Sequence, residues 1–215
     1  MKENRIRVTK LARYYTLNEL TEKTKRIWFV LHGYGEIAKN FIKKFDLLEK
    51  DENFFIAPEA LNKFYFRGFS GKVGASWMTT EDRENEIEDY INFLEKVYEE
   101  TVLEKDKEII LFGFSQGTAT AGRWFLNSKH SFDKIIMWGG FPPEEFVLSK
   151  TKMPVLLVVG ERDRFIDKNY LNEKLKTLDD NHITYDLISF NGDHVIDSET
   201  LAAVSQKLNS ANEGS

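Results

Sequence analysis

Five short stretches of this chain are apolar at nearly every position: RIWFVL (Arg26–Leu31), FFIAP (Phe54–Pro58), EIILFGF (Glu108–Phe114), KIIMWGG (Lys134–Gly140) and PVLLVVG (Pro154–Gly160). A strand with one face in water alternates apolar and polar residues. Runs that are apolar on both faces fit strands covered by helices on each side, as in a parallel sheet. TYDLISF (Thr184–Phe190) reads as a further strand. The segments between them have helical character. KNFIKKFDLLEK follows the first run, and EDRENEIEDYINFLEKVYEE carries Ile87, Ile91, Leu94 and Tyr98 at helical spacing. NYLNEKLKTL and SETLAAVSQKLN supply two more helices near the C-terminus. This repeated alternation of strand and helix specifies an α/β fold with a mainly parallel central sheet flanked by helices.

The 215 residues suit one domain, 1–215, with no Pro- or Ser-rich linker and no internal repeat to divide it. RIRVTKLARYYTL (Arg5–Leu17) is expected to form one or two antiparallel edge strands, and NSANEGS at the C-terminus to fray. A net charge of −5 argues against a nucleic-acid partner, whose phosphates call for a basic face. No apolar run is long enough for an integral membrane segment, and the first residues lack the apolar core of a signal peptide. With no cysteine there is no disulfide, no thiol nucleophile and no cysteine metal ligand, and a cytoplasmic protein is the simplest expectation.

EIILFGF runs directly into Ser-Gln-Gly and then a series of small residues, so Gly113, Ser115 and Gly117 form Gly-x-Ser-x-Gly at the junction of a strand and a helix. A sharp turn there brings the residues two before and two after the serine together, which leaves little room for side chains. It also projects the hydroxyl from the carboxyl edge of the sheet near a helix N-terminus, where negative charge is favoured. On this stretch alone Ser115 is either a nucleophile or the capping serine of a glycine-rich turn.

A serine nucleophile needs a base, and the base an orienting acid. Of the four histidines, His130 and His182 precede strands and belong to the opposite edge of the sheet, and His32 opens HGYG. His194, in FNGDHVID, follows the last strand on the serine's edge and is the candidate base. GERDRFID, after the strand ending at Gly160, offers Glu161, Asp163 and Asp167. Asp163 is preferred: Glu161 lies too close to the strand, Asp167 is placed to cap a helix, and Asp193 is adjacent to the histidine. Two N–H donors should meet the oxyanion. The expected pair is the backbone N–H of Gln116 and that of Tyr34, between Gly33 and Gly35 in the turn after the first apolar strand.

The order Ser115, Asp163, His194 is that of the α/β-hydrolases. FVLHGYGE, FGFSQG, GERDRFI and GDH, in that order over nearly the whole chain, resemble the phospholipase/carboxylesterase branch of that group, which includes the acyl-protein thioesterases. The resemblance implies an α/β-hydrolase fold with no large cap domain, a Ser–His–Asp mechanism and no cofactor. It carries the nucleophile to Ser115, the acid to Asp163, the base to His194 and the oxyanion donors to Tyr34 and Gln116. It also implies a small ester or thioester substrate and makes a homodimer plausible. Lysophospholipase or acyl-protein thioesterase activity on the same triad, and a non-catalytic hydrolase-like binding protein, are the alternatives. The chain departs from the group at Thr118, where a further glycine is common, at Tyr34 and Glu36, and after Trp77, so its acyl pocket is expected to differ. Glu59–Met78, rich in aromatics and glycine, is expected to be a partly ordered loop over the site. Its Phe69 and Trp77 either bind substrate or pack the loop onto the core. No histidine–carboxylate spacing suggests a metal site.

Overall fold

A computed structural model describes residues 1–103, 106–149 and 151–212, apart from the side chains of 210–212. Strands β1 (Tyr14–Leu17), β2 (Arg26–Leu31), β3 (Asn53–Pro58), β6 (Glu108–Phe114), β7 (Lys134–Trp138), β8 (Val155–Gly160) and β9 (Tyr185–Phe190) form one sheet. Its order is β1-β3-β2-β6-β7-β8-β9. All neighbours are parallel except β1, which pairs antiparallel with β3 at the edge. Arg5–Leu17 therefore supplies one edge strand rather than two.

The doubly apolar runs are explained by the two layers they serve. In β2, Ile27, Phe29 and Leu31 point into one core, and Trp28 and Val30 into the other. Helices α2 (Arg83–Thr101), α3 (Gln116–Asn127), α4 (Glu144–Leu148) and α5 (Lys168–Asp180) cover the first face through Ile87, Leu94, Trp124, Phe146 and Leu178. The second face is covered by α1 (Ala38–Phe41), the 3₁₀ turn Ile42–Phe45 that continues it, and α6 (Ser198–Asn212), through Phe41, Phe45, Leu201 and Val204. This is the α/β-hydrolase architecture. Strands apolar on both sides bury at roughly 25 cal/mol per Å² on each face, so the central strands anchor the fold. Strand β9, at the outer edge, buries only Phe190 fully.

Three local expectations are corrected. The helix expected over Lys39–Lys50 amounts to one α turn, Ala38–Phe41, and one 3₁₀ turn, Ile42–Phe45. The chain stays helical to Asn212 where fraying was expected from Asn209, and residues 213–215 lie outside the described set. Glu59–Met78 is a β-hairpin rather than a partly ordered loop: β4 (Asn62–Arg67) and β5 (Ser70–Ser76) pair antiparallel as a separate two-stranded sheet.

Candidate active site

Parallel strands bring their carboxyl ends to one edge, and Ser115 sits there between the end of β6 and the start of α3. Its backbone is held at φ 52°, ψ −117°, a region that costs a non-glycine residue about 1–3 kcal/mol. The flanking glycines make this turn possible. A Cβ on Gly113 would lie 2.4 Å from the Gly117 carbonyl oxygen, and one on Gly117 would lie 2.2 Å from the Leu31 carbonyl oxygen. The turn is pinned by Ser115 N–H donating to Trp138 O at 2.9 Å. The Thr118 hydroxyl donates to Ser115 O at 2.7 Å and also lies 3.2 Å from Phe141 O. Thr118 thus ties the elbow to the loop after β7. The Ser115 side chain makes no capping bond to α3, so capping does not explain the residue.

Asp163 and His194 meet across the loops that follow β8 and β9. The His194 Nδ1 lies 2.6 Å from Asp163 Oδ2, and the carboxylate's other oxygen accepts from Phe165 N–H at 2.9 Å. The Asp163 side chain is only 1% exposed, which favours a short, well-oriented bond. With Nδ1 donating to the carboxylate, Nε2 presents its lone pair, and among the described residues it has no partner. The ring rests between Phe114, 5.0 Å away between centroids, and Phe165, 4.8 Å away. Trp138 holds the loop by donating its indole N–H to Val195 O at 2.8 Å. The rival acids are otherwise engaged or open to solvent: Asp167 caps α5, Asp193 faces Arg162 at 3.4 Å, and Glu161 is exposed. His130 stacks on Tyr98 with centroids 4.0 Å apart, ahead of β7, and His182 ends the turn after α5.

The turn after β2 lies against the serine: a Cβ on Gly33 would be 3.2 Å from Ser115 Cβ. Its donors can be accounted for one by one. Gly33 N–H goes to the Glu36 carboxylate at 3.0 Å, and Gly35 N–H to Ala75 O at 2.8 Å. Among the described residues, the Tyr34 N–H between them has no partner. Gln116 N–H opens α3, where the first amides have no helical acceptor. Below the turn, His32 is fully buried. Its Nδ1 lies 2.8 Å from Gly33 O and its Nε2 accepts from Ala60 N–H at 3.1 Å, which fixes a neutral ring. Burial drives its pKa down to about 4, against smaller upward effects from Gly33 O and Glu59.

The Gln116 side chain has a part the sequence did not reveal. Its amide oxygen accepts from Trp77 N–H at 3.1 Å, and its amide nitrogen donates to Met78 O at 2.9 Å and Ser76 Oγ at 3.1 Å. The residue after the serine is thereby bolted to the exit of β5.

Ser115 and His194 line a cleft of about 450 Å³, whose walls include Phe141, Phe165, Ile166 and Tyr170. A hollow of about 280 Å³ adjoins it, sharing Phe141, Pro142, Glu144 and Lys174, and continues to Val147 and Leu178. These walls come from the loops after β7 and β8 and from α4 and α5. Neither aromatic expected to bind substrate is among them. Trp77 turns into the core, its indole N–H donating to His32 O at 2.8 Å, and Phe69 stands in solvent at the hairpin tip. Among the described residues, no group of three or more His, Asp or Glu side chains is placed to hold a metal, and no helix is long and apolar enough to cross a membrane.

A family model described as Phospholipase/Carboxylesterase matches residues 16–212. No curated protein sequence matches the chain. Among solved structures, esterase PE8 is similar at 25% identity and a TM-score of 0.72, over 93% of this chain and 98% of that one. Acyl-protein thioesterase 2 of Zea mays is similar at 17% identity and a TM-score of 0.70, over 93% of this chain and 99% of that one. YahD, solved with malic acid, is similar at 17% identity and a TM-score of 0.68 over the same shares. The last two likenesses concern the fold alone.

Proposed function

The chain belongs to the phospholipase/carboxylesterase family, and from that premise we propose that it is a serine carboxylesterase hydrolysing small carboxylic esters or thioesters. The observation that carries the reading is the 2.6 Å His194–Asp163 bond at the rim of the cleft that Ser115 also lines.

Ser115 Oγ attacks the substrate carbonyl carbon while its proton passes to His194 Nε2. Asp163 holds the imidazole in the tautomer that can accept it and stabilises the imidazolium. The carbonyl oxygen becomes an oxyanion facing the Tyr34 and Gln116 N–H groups. Collapse breaks the bond to the alcohol or thiol, which leaves with the proton from His194. Water then repeats the sequence on the acyl-enzyme: His194 takes one of its protons, hydroxide adds to the carbonyl, and Ser115 leaves reprotonated with release of the carboxylic acid. No cofactor enters any step.

A fluorophosphonate probe tests the reading directly. Wild-type protein should become labelled, and Ser115→Ala should not. Folded wild-type protein that stays unlabelled would leave a non-catalytic binding role. The hollow running on to Val147 and Leu178 favours a second possibility, a longer acyl chain as in lysophospholipase or acyl-protein thioesterase activity. A p-nitrophenyl ester series separates the two: rates that collapse beyond short chains exclude the longer substrate.

A further inference from the structure

Phe141, Pro142, Glu144 and Lys174 line both the cleft beside Ser115 and the hollow that adjoins it, so a substrate long enough to enter the hollow passes Lys174. Phe141, Val147 and Leu178 give the hollow buried apolar walls. Its α5 wall is polar, with Lys174, Thr177 and Asn181 on one face at helical spacing. Two of these three are engaged by the helix itself. The Thr177 hydroxyl donates to Glu173 O at 2.8 Å, and the Asn181 amide donates to Thr177 O at 2.8 Å.

Lys174 is different. Among the described residues its ammonium makes no hydrogen bond, and its one ion pair, with the adjacent Glu173, is 3.9 Å long. The side chain is nevertheless packed: it is 34% exposed, its Nζ lies 5.1 Å from the centroid of the Tyr170 ring, and that ring meets Phe141 edge-on at 5.8 Å. Among the described residues it is the only lysine or arginine lining either space. Glu144, at the start of α4, is the opposing charge, but it is exposed and screened by water. A packed cation without a hydrogen-bond partner, among apolar walls, suits a ligand that is apolar along its length and carries an anionic group. The acyl group stays joined to Ser115 until water releases it, whereas the alcohol departs in the first half of the reaction. Enclosing walls therefore select chiefly on the acyl side.

We propose that the preferred substrates are half-esters of dicarboxylic acids, with the free carboxylate held by Lys174 and the ester carbonyl at Ser115. The inference rests on the esterase reading of this site and deepens it by naming the substrate class. Hydrolysis consumes one water, breaks the bond between the carbonyl carbon and the alcohol oxygen, and releases the alcohol and the dicarboxylic acid. The remote carboxylate takes no part in bond making.

The test is kcat/KM for the mono-p-nitrophenyl esters of adipic and suberic acids against p-nitrophenyl hexanoate and octanoate, which match them in carbon number. Wild type should favour a half-ester over its neutral match by about tenfold, as one hydrogen bond to a charged group allows. The preference should shrink as salt is raised. Lys174→Met keeps the stem without the charge and should abolish the preference. Taking the ratio within each protein cancels any change in fold or in the triad. Glu144→Gln removes the opposing charge and should raise the ratio. Wild type that treats both kinds of ester alike or favours the neutral ones overturns the proposal, as does a ratio unchanged in Lys174→Met. A ratio that falls in Glu144→Gln also overturns it, because Glu144 would then be the charge the substrate meets. If wild type hydrolyses no ester, the esterase reading fails, and calorimetric binding of monomethyl adipate to Ser115→Ala decides on the carboxylate site. Binding weakened about tenfold by adding Lys174→Met supports it, and binding that is absent or unchanged overturns it.

Discussion

His32 should make this protein acid-labile by an amount that can be worked out. In the folded chain burial holds its pKa at about 4, against an ordinary value of 6.5. Its Nδ1–H points at Gly33 O and its Nε2 accepts from Ala60 N–H, so a second ring proton would meet another N–H. Between these two values the unfolded chain takes up a proton that the folded chain refuses. The unfolded state therefore binds more protons, and stability falls as pH falls. From pH 7 to pH 5 the loss is about 2 kcal/mol, rising to about 3 kcal/mol near pH 4. For a chain of this size that corresponds to a melting midpoint lower by roughly 4–8 °C at pH 5. The assay is urea or thermal unfolding at pH 7 and pH 5, for wild type and His32→Gln. The variant loses stability at neutral pH because its hydrogen bonds are imperfect, but it lacks the titration. Its decline between the two pH values should be smaller than that of wild type by about 2 kcal/mol. Parallel declines would refute the reasoning, whatever the absolute stabilities, because the carboxylates and other histidines are common to both proteins.

Two further perturbations separate positioning from fold. Asp163→Asn keeps the shape of the buried side chain but offers an amide to His194 Nδ1, which favours the wrong tautomer. Ester turnover should drop by about 10⁴ in kcat with the fold retained, and a rate within tenfold of wild type would exclude the triad role. Gln116→Ala leaves the Gln116 backbone N–H in place but strands Trp77 N–H and Met78 O, at a cost of about 1–3 kcal/mol in urea unfolding. In its proposed role that N–H meets only the reacting oxygen, so kcat should fall with little change in KM, and a rise in KM alone would point instead to lost substrate contacts.

The parts of this protein that can be read from the sequence are those whose constraint is local. The strands β2, β3, β6, β7 and β8 declare themselves because helices on both faces leave no position for a polar residue. The serine turn shows because Gly113 and Gly117 each occupy a space that a Cβ would fill. Asp163 and His194 can be picked out because each follows a strand that must deliver its loop to the same edge. The hairpin escapes such reading: most of its positions lie in water and no apolar alternation marks it. The cleft walls escape for another reason. Phe141, Phe165 and Tyr170 come from two loops and a helix, and only their packing makes them one surface. The Gln116 side chain is hidden by distance, since its partners lie about 40 positions earlier in the chain.

That same bond joins two features that otherwise look unrelated. The stretch from Gly74 to Met78 touches both proposed oxyanion donors. Ala75 accepts from Gly35 N–H at 2.8 Å and donates to Glu36 O at 3.1 Å, which frames the turn bearing Tyr34 N–H. Ser76, Trp77 and Met78 hold the Gln116 amide, and the Trp77 indole holds His32 O at 2.8 Å. One short piece of backbone thus bonds both to the turn that carries Tyr34 and to the side chain of Gln116. Oxyanion stabilisation depends on donors fixed before charge develops, so this piece is where rigidity matters most. It is also the return strand of the projecting hairpin. It bonds to the turn after β2 and to the Gln116 side chain, whereas the His194–Asp163 pair lies on the far side of Ser115 in the strand order. Gln116→Ala should therefore disturb the spacing of the proposed oxyanion donors and leave the 2.6 Å pairing of His194 with Asp163 intact.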